Sequence, residues 1–245
     1  MGILYQEFSE RLHEIEEYLD FLAAVECEMR NGIPKVGSQI ITESQQRMLL
    51  SSVYLQLYNL VEATVSKCIE AVCTAVTNAN CRPSDLSSEL LKEWVRYRAQ
   101  THNDLSYDNR LNRCLDLCNH LIQTLPVTEF QIGKGGGGNW NDNEIFNLSK
   151  RIGCNLNIST PILTMVKQQI FDGDGALVKI VKLRNKLAHG DISFQECGAN
   201  TTISDLRDIK ERAVAYLTEV VNSFECYVDS CEFLRRNCHS QAITT

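Results

Sequence analysis

Apolar side chains recur every three or four residues along almost the whole chain, and the alternation that marks strands is nearly absent. That periodicity restricts the chain to helices. Leu4, Phe8, Leu12, Ile15, Leu19, Leu22, Val25 and Met29 form one stripe, closed by Asn31-Gly32 and Pro34, so a first helix is expected over about 2–30. Thr42 with Gln45 three residues on has the form of a capping box, and Leu50, Tyr54, Leu57, Val61, Val65, Cys68 and Val72 carry a second long helix over 43–78. These two are expected to pack antiparallel. Leu206, Ile209, Ala213, Leu217, Val220, Phe224, Tyr227, Cys231 and Leu234 predict a last helix over 204–235.

Between about 81 and 173 the pattern is shorter and more broken. A helix from Pro83 through Trp94, another from about Arg110 to Leu125, the stretch VTEFQI, the loop GKGGGGNW and helical spacing over Glu144–Ile152 and after Thr160-Pro161 read as an inserted region. The expectation is an all-α fold in a single domain over 1–245. It has four longer helices, at about 2–30, 43–78, 175–189 and 204–235, with additional helices inserted. The glycine run at 133–138 lacks the Lys-Ser/Thr ending of a phosphate loop and follows no strand, so it reads as a flexible connection. FDGDGAL has too few oxygen ligands for a calcium loop.

Net charge of −7 and a pI near 5.3 argue against nonspecific coating of nucleic acid or anionic membrane and confine any nucleic-acid contact to a local patch. Eleven cysteines raise the question of disulfides, but the acidic, amphipathic start MGILYQEFSERL is unlike a secretory signal. Cys68, Cys114, Cys118 and Cys231 fall at apolar helix positions where a thiol acts as a small hydrophobe, so a reducing cytoplasm is expected. Cys114, Cys118 and His120 lie close together, as do Cys238 and His239. No CxxC pair occurs, and Cys114 and Cys118 continue the stripe Leu111, Leu115, Leu121, Ile122, Leu125, which reads as core packing rather than a metal site. The uncharged run from Met48 to Val61 is well short of the ~20 residues of a membrane span, so no membrane is expected as a partner.

One segment stands out chemically. Over 176–189, Leu177, Ile180, Val181, Leu187 and Ala188 project onto one face with Arg184 in its middle. Lys179, Lys182 and Lys186 fall on the other side. Asp174 is the expected N-cap, and Gly190 ends the helix. A guanidinium on an apolar face is costly unless it is paired or borders a cleft, so Arg184 is either a register-fixing ion pair or an anion-binding arginine. Glu62, on the flank of the second helix, is the candidate partner. His189 lies about 140° around from Arg184, so the two share a cleft only at the helix end or between subunits.

The segment RNKLAHG fits the Arg-x4-His motif of the HEPN superfamily. With FSERLHEIEEYLDFL, LLSSVYLQLYNLVEATV, GNWNDNEIFNLSKRIG and SFQECGANTTISDLRDIKERAVAYL in this order, nearly the whole chain resembles the MAE-type HEPN branch of prokaryotic defence loci. The resemblance implies a metal-independent endoribonuclease without cofactor, a toxin or effector that acts as a homodimer with its active site at the interface. It implies that Arg184 and His189 form the catalytic pair, that Asn185 and Glu62 orient them, and that Lys179, Lys182 and Lys186 bind RNA. A regulatory or neutralising protein partner is also implied. The other reading it leaves is an inactive HEPN domain serving as a binding or scaffold subunit.

Overall fold

A computed structural model describes residues 2–100, 104–133, 139–170 and 173–235. Of the predicted features, residues 134–138 of the glycine run, Asp172, Cys238 and His239 lie outside these. Among the described residues there are nine α-helices, α1 to α9, and one short hairpin of strands β1 (Lys35–Val36) and β2 (Gln39–Ile40), so the all-α expectation holds. They divide into two compact units, one of residues 1–65, 139–144 and 157–221, the other of 66–138, 145–156 and 222–245.

In the first unit, α1 (Ile3–Asn31) and α2 (Glu43–Asn78) match their predicted spans. The capping box forms: the Gln45 amide donates to Thr42 Oγ1 at 3.2 Å while Gln45 Oε1 accepts from the Thr42 amide at 2.8 Å. Tyr18 meets Ser52 at 2.9 Å and Arg11 donates to Asn59 at 3.2 Å, so rising numbers on α1 meet falling numbers on α2 and the pair is antiparallel. Phe8, Ile15, Leu19 and Leu22 of α1 and Val53, Leu57, Leu60 and Val61 of α2 are buried in the core. The α9 helix (Ile203–Asp229) runs antiparallel to α1, with Arg207 on Asp20 at 2.8 Å and Lys210 on Glu16 at 3.2 Å. It also holds α6 (Thr160–Lys167) by both ends. Glu219 accepts from the Ser159 amide at 2.7 Å, and Arg212 donates to the carbonyls of Met165 and Gln168, so the orphan groups of a short helix are met by opposite charges.

α7 (Ala176–His189) follows, then α8 (Phe194–Ala199), which periodicity did not foretell. Asp174 is not the N-cap of α7. That place falls to Gly175, and Asp174 instead pairs with Lys182 at 2.8 Å. Gly190 does end the helix, in the left-handed region at φ 79° that glycine adopts without strain, its amide bonded to the Lys186 carbonyl.

In the second unit the expected helix from Pro83 is two elements. A 3-10 turn at Pro83–Asp85 precedes α3 (Ser88–Ala99), whose N-cap Ser87 accepts from the Leu90 amide. The break has a cause: Leu86 bridges Leu234, the Ser87 amide donates to the Phe233 carbonyl at 2.9 Å, and the Arg235 amide donates to the Asp85 carbonyl at 2.7 Å. The same contacts end α9 at Asp229, six residues before its predicted end, and Cys231 turns to a positive φ. α5 (Asp142–Ile152) is capped at its end by the Tyr227 hydroxyl, which donates to the Ile152 carbonyl at 2.8 Å. VTEFQI has no regular structure, yet Val127, Phe130 and Ile132 are buried.

The core assignment of one stripe fails. On α4 (Tyr107–Ile122), which at 16 residues is longer than α7, Leu111, Leu115, Leu121 and Ile122 are exposed, as are Cys114, Cys118 and, beyond the helix, Leu125. Only His120 is buried, its ring 5.1 Å from that of Trp94. Periodicity reports that a helix has an apolar face, not that something covers it. Cys231 is exposed too, whereas Cys68 is buried as expected. Among the described residues no group of three or more potential metal ligands gathers, and no helix is long and apolar enough to cross a membrane.

Two tests follow. A Cβ on Gly198 would lie 2.0 Å from the Arg47 carbonyl oxygen, backbone that cannot yield cheaply. Gly198→Ala is expected to cost at least about 1–3 kcal/mol, seen as a lower midpoint in urea unfolding. Burial also raises the Cys154 thiol to about 12 and pushes up the phenols of Tyr216 and Tyr227. These groups stay protonated in the fold at pH values where the unfolded chain, with Cys near ~8.5 and Tyr near ~10, releases its protons. Stability is therefore complete below about pH 8.5 and declines as pH rises toward the folded values, measurable as a falling urea midpoint between pH 8 and 10.5.

Candidate active site

The site is built on α7 and lies within the first unit. Leu177, Ile180, Val181 and Leu187 are buried, as the projection requires; Ala188 is exposed, because the helix has reached its end there. Arg184, on the same face, is half-buried with its guanidinium carbon 3.5 Å from the centre of the Tyr58 ring on α2. A desolvated cation over an aromatic face is worth about 2 kcal/mol.

Tyr58 is 4% exposed, and burial, the largest effect, raises its pKa. Arg184 opposes that rise and Glu62 adds to it, so the ring senses both charges. Glu62 follows Tyr58 by one turn of α2, which brings the predicted acid into the neighbourhood of the predicted arginine, with the ring as their common neighbour. The Arg184 side chain and the Trp140 backbone also act on the Tyr58 hydroxyl, yet neither is aligned as a hydrogen bond, and that oxygen is buried. The Trp140 ring is 3% exposed and its Nε1 is buried without an acceptor among the described residues.

Asn185 donates to Asn139 Oδ1 at 2.9 Å, tying α7 to the GNWN segment. His189 is exposed at the helix end. On the helical projection it lies about 140° from Arg184, on the side of Lys182 and Lys186, with Asn185 between. One α7 therefore offers two surfaces, an arginine set against the Tyr58 ring and a histidine among lysines. Lys186 is exposed and Lys179 half-buried, both near Cys197 of α8, while Lys182 is engaged by Asp174.

The family model described as HEPN_MAE_28990-like HEPN matches residues 3–233. The chain belongs to this HEPN family. No curated protein and no solved structure matches it. Membership points to a nuclease-type or RNA-related function. Tyr58, Asn139 and Trp140 of this HEPN domain escaped the reading of sequence, although Tyr58 stands one turn before Glu62 and Asn139-Trp140 lie in a segment already singled out. Their types carried no charge to mark them.

The ring and hydroxyl of Tyr58 are separable. Tyr58→Phe keeps the face under Arg184 and is expected to stay within about 1 kcal/mol of wild type in urea unfolding. Tyr58→Ala removes the ring from a closed core and is expected to cost about 3–5 kcal/mol.

Proposed function

We propose that this HEPN domain is a metal-independent endoribonuclease that acts as a homodimer in the cytoplasm, a toxin or effector of antiviral or restriction-type defence. The observation that carries the reading is the Arg-x4-His of α7, in which the arginine is braced on a buried ring while the histidine stands exposed at the helix end. RNA brings its own nucleophile. The 2′-oxygen bonds to the adjacent phosphorus, the bond from phosphorus to the 5′-oxygen breaks, and the products are a 2′,3′-cyclic phosphate and a 5′-hydroxyl. Arg184 stabilises charge gathering on the non-bridging oxygens, and His189 moves the proton. Asn185, steadied by Asn139, and Glu62, beside Tyr58, orient the pair, while Lys179 and Lys186 supply the local positive patch.

The 140° between Arg184 and His189 supports a dimeric site, because a second copy can offer its own histidine to an arginine that its partner's histidine faces away from. Two histidines also allow one to take the 2′-proton and the other to deliver a proton to the leaving oxygen. The test is incubation of purified protein with total RNA and defined tRNAs in EDTA. Cleavage leaving cyclic phosphate ends is expected, reduced by a factor of ~100 or more in Arg184→Ala and His189→Ala. Equal cleavage by wild type and both variants would refute the site. Expression toxicity that neither change relieves would move the protein to the binding or scaffold class.

A further inference from the structure

Nothing proposed so far uses α4. Its 16 residues bury one side chain, His120, and leave a continuous apolar stripe in water. Leu111 is 47% exposed, Leu115 51% and Ile122 77%. Cys114, Cys118 and Leu121 complete the stripe, which spans about 120° of the projection. Leu111, Cys114, Cys118 and Leu121 are spaced three, four and three apart, the repeat that lets two helices mesh knobs into holes.

We infer that α4 pairs antiparallel with α4 of a second copy of this chain. Two observations select that occupant. A two-fold axis at residue 116 sets Leu111 opposite the partner's Leu121 and Cys114 opposite the partner's Cys118, like against like, as an isologous contact demands. Asp116 itself lies about 140° around from Leu111, so the axis meets no charge.

The rim carries no excess of positive charge: Asp108 flanks the stripe on one side and, on the other, Arg110, which pairs with Asp104 at 3.1 Å, while Arg113 and Asp116 lie on the far side of the helix. It gives no attraction to a polyanion, an anionic membrane or a strongly charged protein. Antiparallel pairing also holds the two Arg110 side chains roughly 18 Å apart along the axis and opposes the helix dipoles, whereas parallel pairing would set like charges level.

Size sets the strength of the contact. A helix of this length covers roughly 24 Å by 10 Å, far less than the ~800 Å² per partner of a standard interface. The contact is therefore reversible and concentration-dependent. It is independent of the ribonuclease reading, since α4 carries none of the residues assigned to that chemistry.

The experiment uses the full chain with Cys27, Cys226, Cys231 and Cys238 changed to Ser, oxidised with diamide, which takes up the two electrons and two protons of disulfide formation. A cross-linked dimer that needs both Cys114 and Cys118, vanishing in Cys114→Ser and in Cys118→Ser, is the expected result. Cross-linking that survives either change, or none at all, would overturn the antiparallel pairing. Sedimentation of the cysteine-intact protein in reductant gives a second measure. Leu111→Glu, at an exposed position, is expected to lower the mass reached at high concentration while leaving the circular dichroism melt unchanged. An unaltered mass would sink the inference, as would Leu111-dependent binding to phosphatidylcholine–phosphatidylglycerol vesicles by a protein that does not self-associate.

Discussion

A guanidinium on the apolar face of a helix must be desolvated somewhere, and in this HEPN domain the place is the ring of Tyr58. That single stack fixes the rotation of α7. With Arg184 turned toward α2, Leu177, Ile180 and Leu187 go inward, and Lys182, Lys186 and His189 are left on the solvent side. The remaining features follow from it. Asn185 is placed where Asn139 can accept its amide, and Gly190, with its positive φ, ends the helix one residue after the histidine. The frame around α7 is correspondingly stiff: Gly198 lets α8 lie against the backbone of α2, and α9 ties down both ends of α6.

What could be read from the sequence divides along a physical line. Local features were legible. The capping box at Thr42, the spans of α1 and α2 and the glycine after His189 depend on residues within a few positions of one another. Failures came where a distant segment intervened. The break between the 3-10 turn and α3 and the early end of α9 are two sides of the same pairing between Leu86 and Leu234, which no local pattern encodes. Asp174 is a good capping type, but Lys182, two turns on, competes for its carboxylate and wins.

The site shows the same division. Arg184, Asn185 and His189 announce themselves by type and spacing, and Glu62 could be nominated from its flank position. Tyr58 could not, because an aromatic residue on a buried face looks the same whether it fills a core or braces an arginine. The lysines illustrate the converse: equal in sequence, they differ in the structure, where Lys182 has a carboxylate and Lys186 stands exposed near Cys197.

α4 has one more consequence, and it concerns time rather than contact. With one side chain buried, His120 against Trp94 of α3, α4 gains less from tertiary packing than the core helices do, and helices of about 16 residues are marginal on their own in water. Its backbone amides therefore open at a small fraction of the global unfolding free energy and exchange with solvent early. Any surface that covers the stripe would slow that exchange, so the protection of these amides records how often α4 is covered.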